Sequence, residues 1–166
     1  MSDPVERFLI GKLPPEADSR LQHLHAYWTS IRPSAQRLPG RQHFDPIAVP
    51  SLLPHIWLLD VTRDPLRYRY RLIGTEIARV MGRDYTRWWV DEVPGAAPDA
   101  ESYGQLHITA NDGVIAFKSG RPTFRSDRYG PWLERLLLPL AQDGSRVDII
   151  LAITAYGVPV PTINRI

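Results

Sequence analysis

From Ser19 onward, Leu21, Leu24, Trp28 and Ile31 recur at the three- and four-residue spacing that places them on one face of a helix. Ser19 is positioned to cap the start, and Pro33 forces a stop just after Arg32. Residues 1–18 carry Pro4, Pro14 and Pro15 and little periodicity, and read as a loose leader. Beyond the helix, Asp45-Pro46 has the form of a cap followed by a first-turn proline. It opens a short helical turn that Pro50 and Pro54 break.

The pattern then changes to strand-like runs, His55–Thr62 and Arg67–Ile73. Arg63-Asp64-Pro65-Leu66 lies between them and suits a tight turn, which predicts an antiparallel hairpin. Gly74-Thr75 opens a short helix with Ile77, Val80 and Met81 inward, closed by Gly82 where a left-handed backbone favours glycine. The stretch Arg83–Pro98, with Trp88, Trp89 and Pro94-Gly95, is aromatic and irregular. From Asp99 to Ser119 the residues Tyr103, Leu106, Ala110, Val114 and Phe117 keep a helical period, and Gly120 and Pro122 end it. Three strands are predicted after that, Arg121–Tyr129, Trp132–Leu140 and Arg146–Thr154, the last two joined through Asp143-Gly144. Residues 155–166, with Pro159 and Pro161, read as an extended tail. Strands first and last with helices between predict one α+β domain over residues 19–154. Its expected core is a five-stranded antiparallel sheet with helices packed on one face and an N-terminal flanking helix.

Composition narrows the function classes more than the fold. With 43% hydrophobic and 23% charged residues in 166, the chain has the balance of one globular domain rather than of a disordered or fibrous one. There is no cysteine, which removes disulfides, thiolate metal sites and cysteine nucleophiles together. The longest apolar runs, such as Ile56–Leu59 and Leu136–Leu140, are far short of the roughly 20 residues that span a bilayer. The first residues lack a basic stretch followed by an apolar one, so cytoplasm is the default location. A net charge of +2 is too weak to imply nucleic acid. Arg67, Arg69 and Arg71 share one face of a strand and read as a solvated or salt-bridged stripe.

Several strings, taken together, point to a family. Tyr27-Trp28 with Arg32-Pro33, Leu38-Pro39 with Arg41, Asp45-Pro46 and Leu53-Pro54-His55 follow one another in the first third. Tyr70-Arg71-Leu72-Ile73-Gly74-Thr75, Gly82-Arg83-Asp84 and Leu137-Leu138-Pro139-Leu140 followed by Asp143-Gly144 continue the series. In order and spacing this resembles the alphaproteobacterial PAS-like family formerly described as a domain of unknown function, from about Leu21 to Ile153. The resemblance implies a PAS fold and a sensory or regulatory role in bacterial signalling, with no general ligand or cofactor to carry over. Where members usually show a glycine after Asp84-Tyr85-Thr86, this chain has Arg87, followed by the bulky Trp88-Trp89.

Catalytic constellations are poor. There is no Gly-x-Ser-x-Gly elbow, no phosphate-binding glycine loop and no His-Glu-x-x-His helix. His23 and His25, two apart on a helix, diverge and predict no metal site. His107 lies near the inward stripe of the long helix, where it reads as a hydrogen-bonded core histidine more readily than as a ligand or haem donor. In a PAS-like fold the inner sheet face and the long helix leave a cavity. The expected lining is Tyr70, Leu72, Tyr103, His107, Ala110, Leu136 and Leu138, with the proviso that a one-residue register slip turns a strand's face over. The expected function is a stand-alone sensory module, not an enzyme, that takes a small molecule or a signalling protein partner. An interaction-only PAS domain with a filled interior is the alternative, and a small cone-shaped α+β enzyme is a third reading. The stripe Leu21, Leu24, Trp28 and Ile31 is expected to pair with a second copy in a homodimer.

Overall fold

Asp18, one residue before the expected cap, starts the first helix: its carboxylate accepts a hydrogen bond from the Arg20 amide at 2.9 Å, and α1 runs from Ser19 to Ser30. In the computed structural model, residues 4–122 and 130–162 are described. After α1 come three short 3₁₀ turns, the second begun by Asp45 and Pro46 as the cap pattern predicts. The hairpin follows as β2 (Ile56–Thr62) and β3 (Arg67–Ile73), then α2 (Thr75–Met81), which ends on Gly82 at φ 87. The long helix is α3 (Ala100–Asp112), and two further strands are β5 (Leu133–Leu140) and β6 (Ile149–Tyr156).

Two expectations about the sheet are corrected. The helix predicted to reach Ser119 ends at Asp112, because Gly113 adopts φ 66 and its amide bonds back to the Thr109 carbonyl. The residues beyond, Ala116–Gly120, form β4. Of the strand expected over Arg121–Tyr129, residues 123–129 lie outside the described ones. The leader is also not loose throughout: Arg7–Ile10 forms an edge strand, β1, paired antiparallel to β4. A four-residue strand whose partner is more than a hundred residues away has no local signature, so periodicity within the leader does not reveal it. The sheet therefore has six antiparallel strands, in the order β1-β4-β5-β6-β2-β3, and β6 takes Ala155 and Tyr156 from the expected tail.

The family strings meet in space. A side chain on Gly74 would run into the carbonyl oxygens of Leu53, Pro54 and Ile56, the last two at 2.5 and 2.6 Å. The end of the hairpin thus packs backbone to backbone against the Leu53-Pro54-His55 turn, an approach only glycine permits.

As expected, α2 and α3 gather on one face of the sheet, and the flanking helix α1 takes the other. Arg135 of β5 hydrogen-bonds Ser102 and Gln105 of α3, whereas its neighbour Glu134 accepts the amide of Asp18 at the start of α1. Successive side chains of a strand point to opposite faces, so α1 and α3 lie on opposite sides. On the α1 side the rows Leu136–Ile153–Ile56 and Leu138–Leu151–Leu58 form a buried aliphatic layer. Leu21 and Leu24 are fully buried in that structure, and Trp28, 4% exposed, donates its indole N–H to the Pro139 carbonyl at 3.0 Å.

This corrects the expected dimer interface. Leu21, Leu24 and Trp28 are closed within the chain against its own sheet, and Ile31 is half-buried against the same core. The stripe is spent on an aliphatic face that would otherwise be open to water. Replacing Trp28 with alanine is expected to lower stability by about 3–5 kcal/mol. In the Leu24→Glu/Trp28→Glu double variant the cooperative denaturant transition should disappear, followed by circular dichroism. A double variant that stays folded and merely changes oligomeric state in light scattering would refute the intramolecular role.

Candidate functional site

The inner face of the sheet carries an unusual row. Lys118 of β4 stands directly opposite Arg135 of β5, and Arg135 opposite Thr154 of β6. Like charges in directly opposed positions disfavour each other. Lys118 is only 2% exposed and Arg135 is half-buried.

What holds Arg135 there is α3. Its guanidinium donates to Gln105 Oε1 at 2.5 Å and to Ser102 Oγ at 3.3 Å, and the Gln105 amide in turn donates to the Phe117 carbonyl at 2.7 Å. The guanidinium Nε is buried without a partner. Burial draws the Arg135 pKa down to about 10, opposed by the charge of Asp99. Lys118 is likewise pushed below its usual value by burial and by Arg135, with Asp99, Glu6 and Glu101 opposing. Its Nζ has Asp99 Oδ2 at 4.0 Å and the Phe8 ring at 5.4 Å from its centre. Asp99 already serves as the α3 cap, accepting the Ser102 amide at 2.7 Å.

Beside this row is a cavity of about 80 Å³, bounded by Trp57, Tyr70, Ile77, Met81, Ala96, Pro98, Leu133 and Tyr156 as well as Ser102, Lys118, Arg135 and Thr154. Trp57 donates to Thr154 Oγ1 at 2.9 Å, which fixes the floor. Burial pushes the Tyr70 hydroxyl up to about 12. Of the residues expected to line an inner cavity, Tyr70 alone does so.

The others are elsewhere, for identifiable reasons. The α3 residues facing the sheet are Ser102, Gln105, Leu106, Thr109 and Ala110, because the buried guanidinium requires acceptors above it. The inward face is thus rotated from the one hydrophobic periodicity suggests. Tyr103 and His107 fall on its flank and line a separate open cleft of about 510 Å³ with Leu66, Arg67, Tyr68 and Val90. There His107 Nδ1 lies 2.6 Å from the Tyr68 hydroxyl, its ring between those of Tyr68 and Tyr103, as a hydrogen-bonded histidine should be. Ala110 is buried in the core and borders neither cavity.

Leu136 and Leu138 are corrected outright: they are fully buried on the α1 side, so the register is one residue off from that expected. Leu72 fails for a different reason. The β2–β3 pairing shifts between Leu58 and Leu59, so that Arg71 and Leu72 are both exposed and Ile73 turns inward. Lys118 and Arg135 escaped sequence reasoning, although Glu134-Arg135 interrupting the apolar run Trp132–Leu140 is a legible anomaly. The arginine stripe is as expected: Arg67 pairs with Asp91 and Glu92, Arg71 with Asp60, and Arg69 donates to the Arg87 carbonyl.

A family model described as a PAS domain matches residues 17–154. The chain belongs to the PAS-domain family. Among solved structures this PAS domain is similar to one titled "Structure of an RNA-binding Light-Oxygen-Voltage Receptor", with a TM-score of 0.53 and 14% identity over 93% of this chain. It spans 39% of that receptor chain, and the likeness shows the fold alone. No curated relative matches the sequence.

Two variants probe this geometry. Ala110→Trp places a large ring where no cavity lies and is expected to lower stability by about 1–3 kcal/mol in denaturant melts. An unchanged midpoint would reveal spare volume at that position. Arg87 occupies a left-handed conformation, φ 77, while its amide donates to the Tyr70 carbonyl at 2.7 Å and its side chain is exposed. Arg87→Gly keeps the backbone bonds and removes the strain, so a gain of about 1 kcal/mol is expected. A loss of stability would show that the guanidinium holds something in place.

Proposed function

We propose that this PAS domain is a sensory module of bacterial signal transduction in which occupancy of the inner-face cavity is the signal, relayed to a protein partner. The observation that carries the reading is the cavity itself: mostly apolar walls with a few convergent polar groups, set between α3 and the sheet. Acid–base catalysis by a carboxylate or histidine is disfavoured at this cavity because its lining includes neither.

RNA binding does not transfer from the light-oxygen-voltage receptor. Arg67 and Arg71 are engaged by carboxylates and Arg69 by a backbone carbonyl, leaving this stripe without a cation free for phosphate. No described helix is long and apolar enough to cross a membrane. The small size of the cavity is the one feature that favours the interaction-only alternative, in which a filled interior merely supports a docking surface.

Native mass spectrometry of protein purified from its host separates the two. Sensing predicts a retained small molecule that is lost in Ala96→Trp, since Ala96 borders the cavity from the half-buried connecting segment and a tryptophan there should plug it. If the native protein carries nothing and Ala96→Trp still engages its partner normally, the sensory reading fails in favour of interaction alone.

A further inference from the structure

Lys118 and Arg135 bring two cationic side chains onto one interior row, and the nearest carboxylate, Asp99, is half-exposed, 4.0 Å from Lys118 Nζ and already committed to capping α3. Lys118 makes no hydrogen bond to any described residue, Arg135 Nε is buried and unpartnered, and both border the cavity. An interior with surplus positive charge, an orphaned donor and adjoining space lacks an anion. Buried cations that are weakly paired cost free energy, and an anion in the adjoining space offsets that cost.

Size limits the occupant. An apolar cavity of about 150 Å³ accepts benzene, so about 80 Å³ has room for roughly three non-hydrogen atoms by the same scale, and the partly open side of the cavity leaves space for a fourth. Resting on the sensory reading above, we infer that the ligand of this cavity is a small carboxylate of about acetate size, with its oxygens on Lys118 Nζ and on the Nη edge of the Arg135 guanidinium. Ser102 and Gln105 accept one N–H from each Nη, and each Nη carries a second N–H that a ligand oxygen can take. Tyr70, whose hydroxyl bonds no described residue, is placed to add a third donor. Ile77, Met81 and Leu133 offer the apolar side on which a methyl group rests.

The test titrates the full chain with sodium acetate, with its neutral isostere acetamide, and with sodium chloride at matched ionic strength, following the melting temperature and Trp57-sensitive fluorescence. Acetate should give a saturable rise in melting temperature that acetamide and chloride do not. Lys118→Met should melt at the same temperature as the native chain or higher without ligand, because it removes a buried cation whose one ion pair is long, yet bind acetate about tenfold to a hundredfold more weakly. In the unmodified protein, the Lys118 side-chain signal followed by NMR through an alkaline titration should show its apparent pKa rising at saturating acetate. That shift is read against Arg135, Asp99, Glu6 and Glu101, the charged groups acting on it.

Equal stabilisation by acetate and acetamide, a neutral molecule retained from the host, or an unshifted Lys118 titration overturns the carboxylate assignment while leaving a sensory cavity in place. No saturable response to acetate also overturns it, and the retained-ligand measurement then decides the sensory reading separately.

Discussion

Much of the inner layer depends on where the Arg135 guanidinium finds its acceptors. A half-buried arginine on a central strand must be hydrogen-bonded from above, and α3 supplies Gln105 and Ser102 for that purpose. That requirement rotates α3 so that a polar strip, Ser102–Gln105–Thr109, faces the sheet. Gln105 then ties the helix to β4 through Phe117, and Arg63 holds the other end by donating to the Ala110 carbonyl at 2.9 Å and to Val147 at 2.7 Å. A cation at the last turn of a helix is also where the helix dipole favours it. The inner layer is therefore organised by polar bonds.

The opposite face follows different rules. Beneath α1 the sheet is mainly aliphatic, and Leu21, Leu24 and Trp28 seal it by burial with one indole hydrogen bond. Stability can reside on this side while the inner side tolerates a cavity and imperfectly paired charges. The central strands β5 and β6 belong to both layers at once, which explains why nearly every residue along them is buried.

How much of this was legible follows from the same division. The α1 stripe, the β2–β3 hairpin and the Gly82 cap were readable because local rules determine them: period, turn chemistry and left-handed backbone. The PAS fold was readable from the ordered strings, and Gly74 against Leu53 and Pro54 shows the backbone contact behind two of them. Hydrophobic periodicity failed where polar residues face inward. Tyr103 and His107 look like an inner stripe only if Ser102 and Gln105 are taken to point at solvent, and nothing local says otherwise. Register failed at Leu136 and Leu138 because a strand buried on both faces has no alternation to read. At Leu72 it failed because a bulge inserts a residue that the sequence does not announce.

The cost of the inner row bears on what it is for. Replacing a buried ionic group with a well-packed apolar one is often neutral or stabilising, and Lys118 has apolar neighbours in Leu133 and Phe8 that would accommodate one. Arg135 has a structural use in orienting α3, which accounts for its place without invoking a ligand. Lys118 is held more weakly: its ion pair with the α3 cap Asp99 is long at 4.0 Å, it donates no hydrogen bond to any described residue, and it sits opposite another cation. Of the two, Lys118 is therefore the residue whose presence the fold alone does not explain, and it stands beside the one inner-face cavity described here.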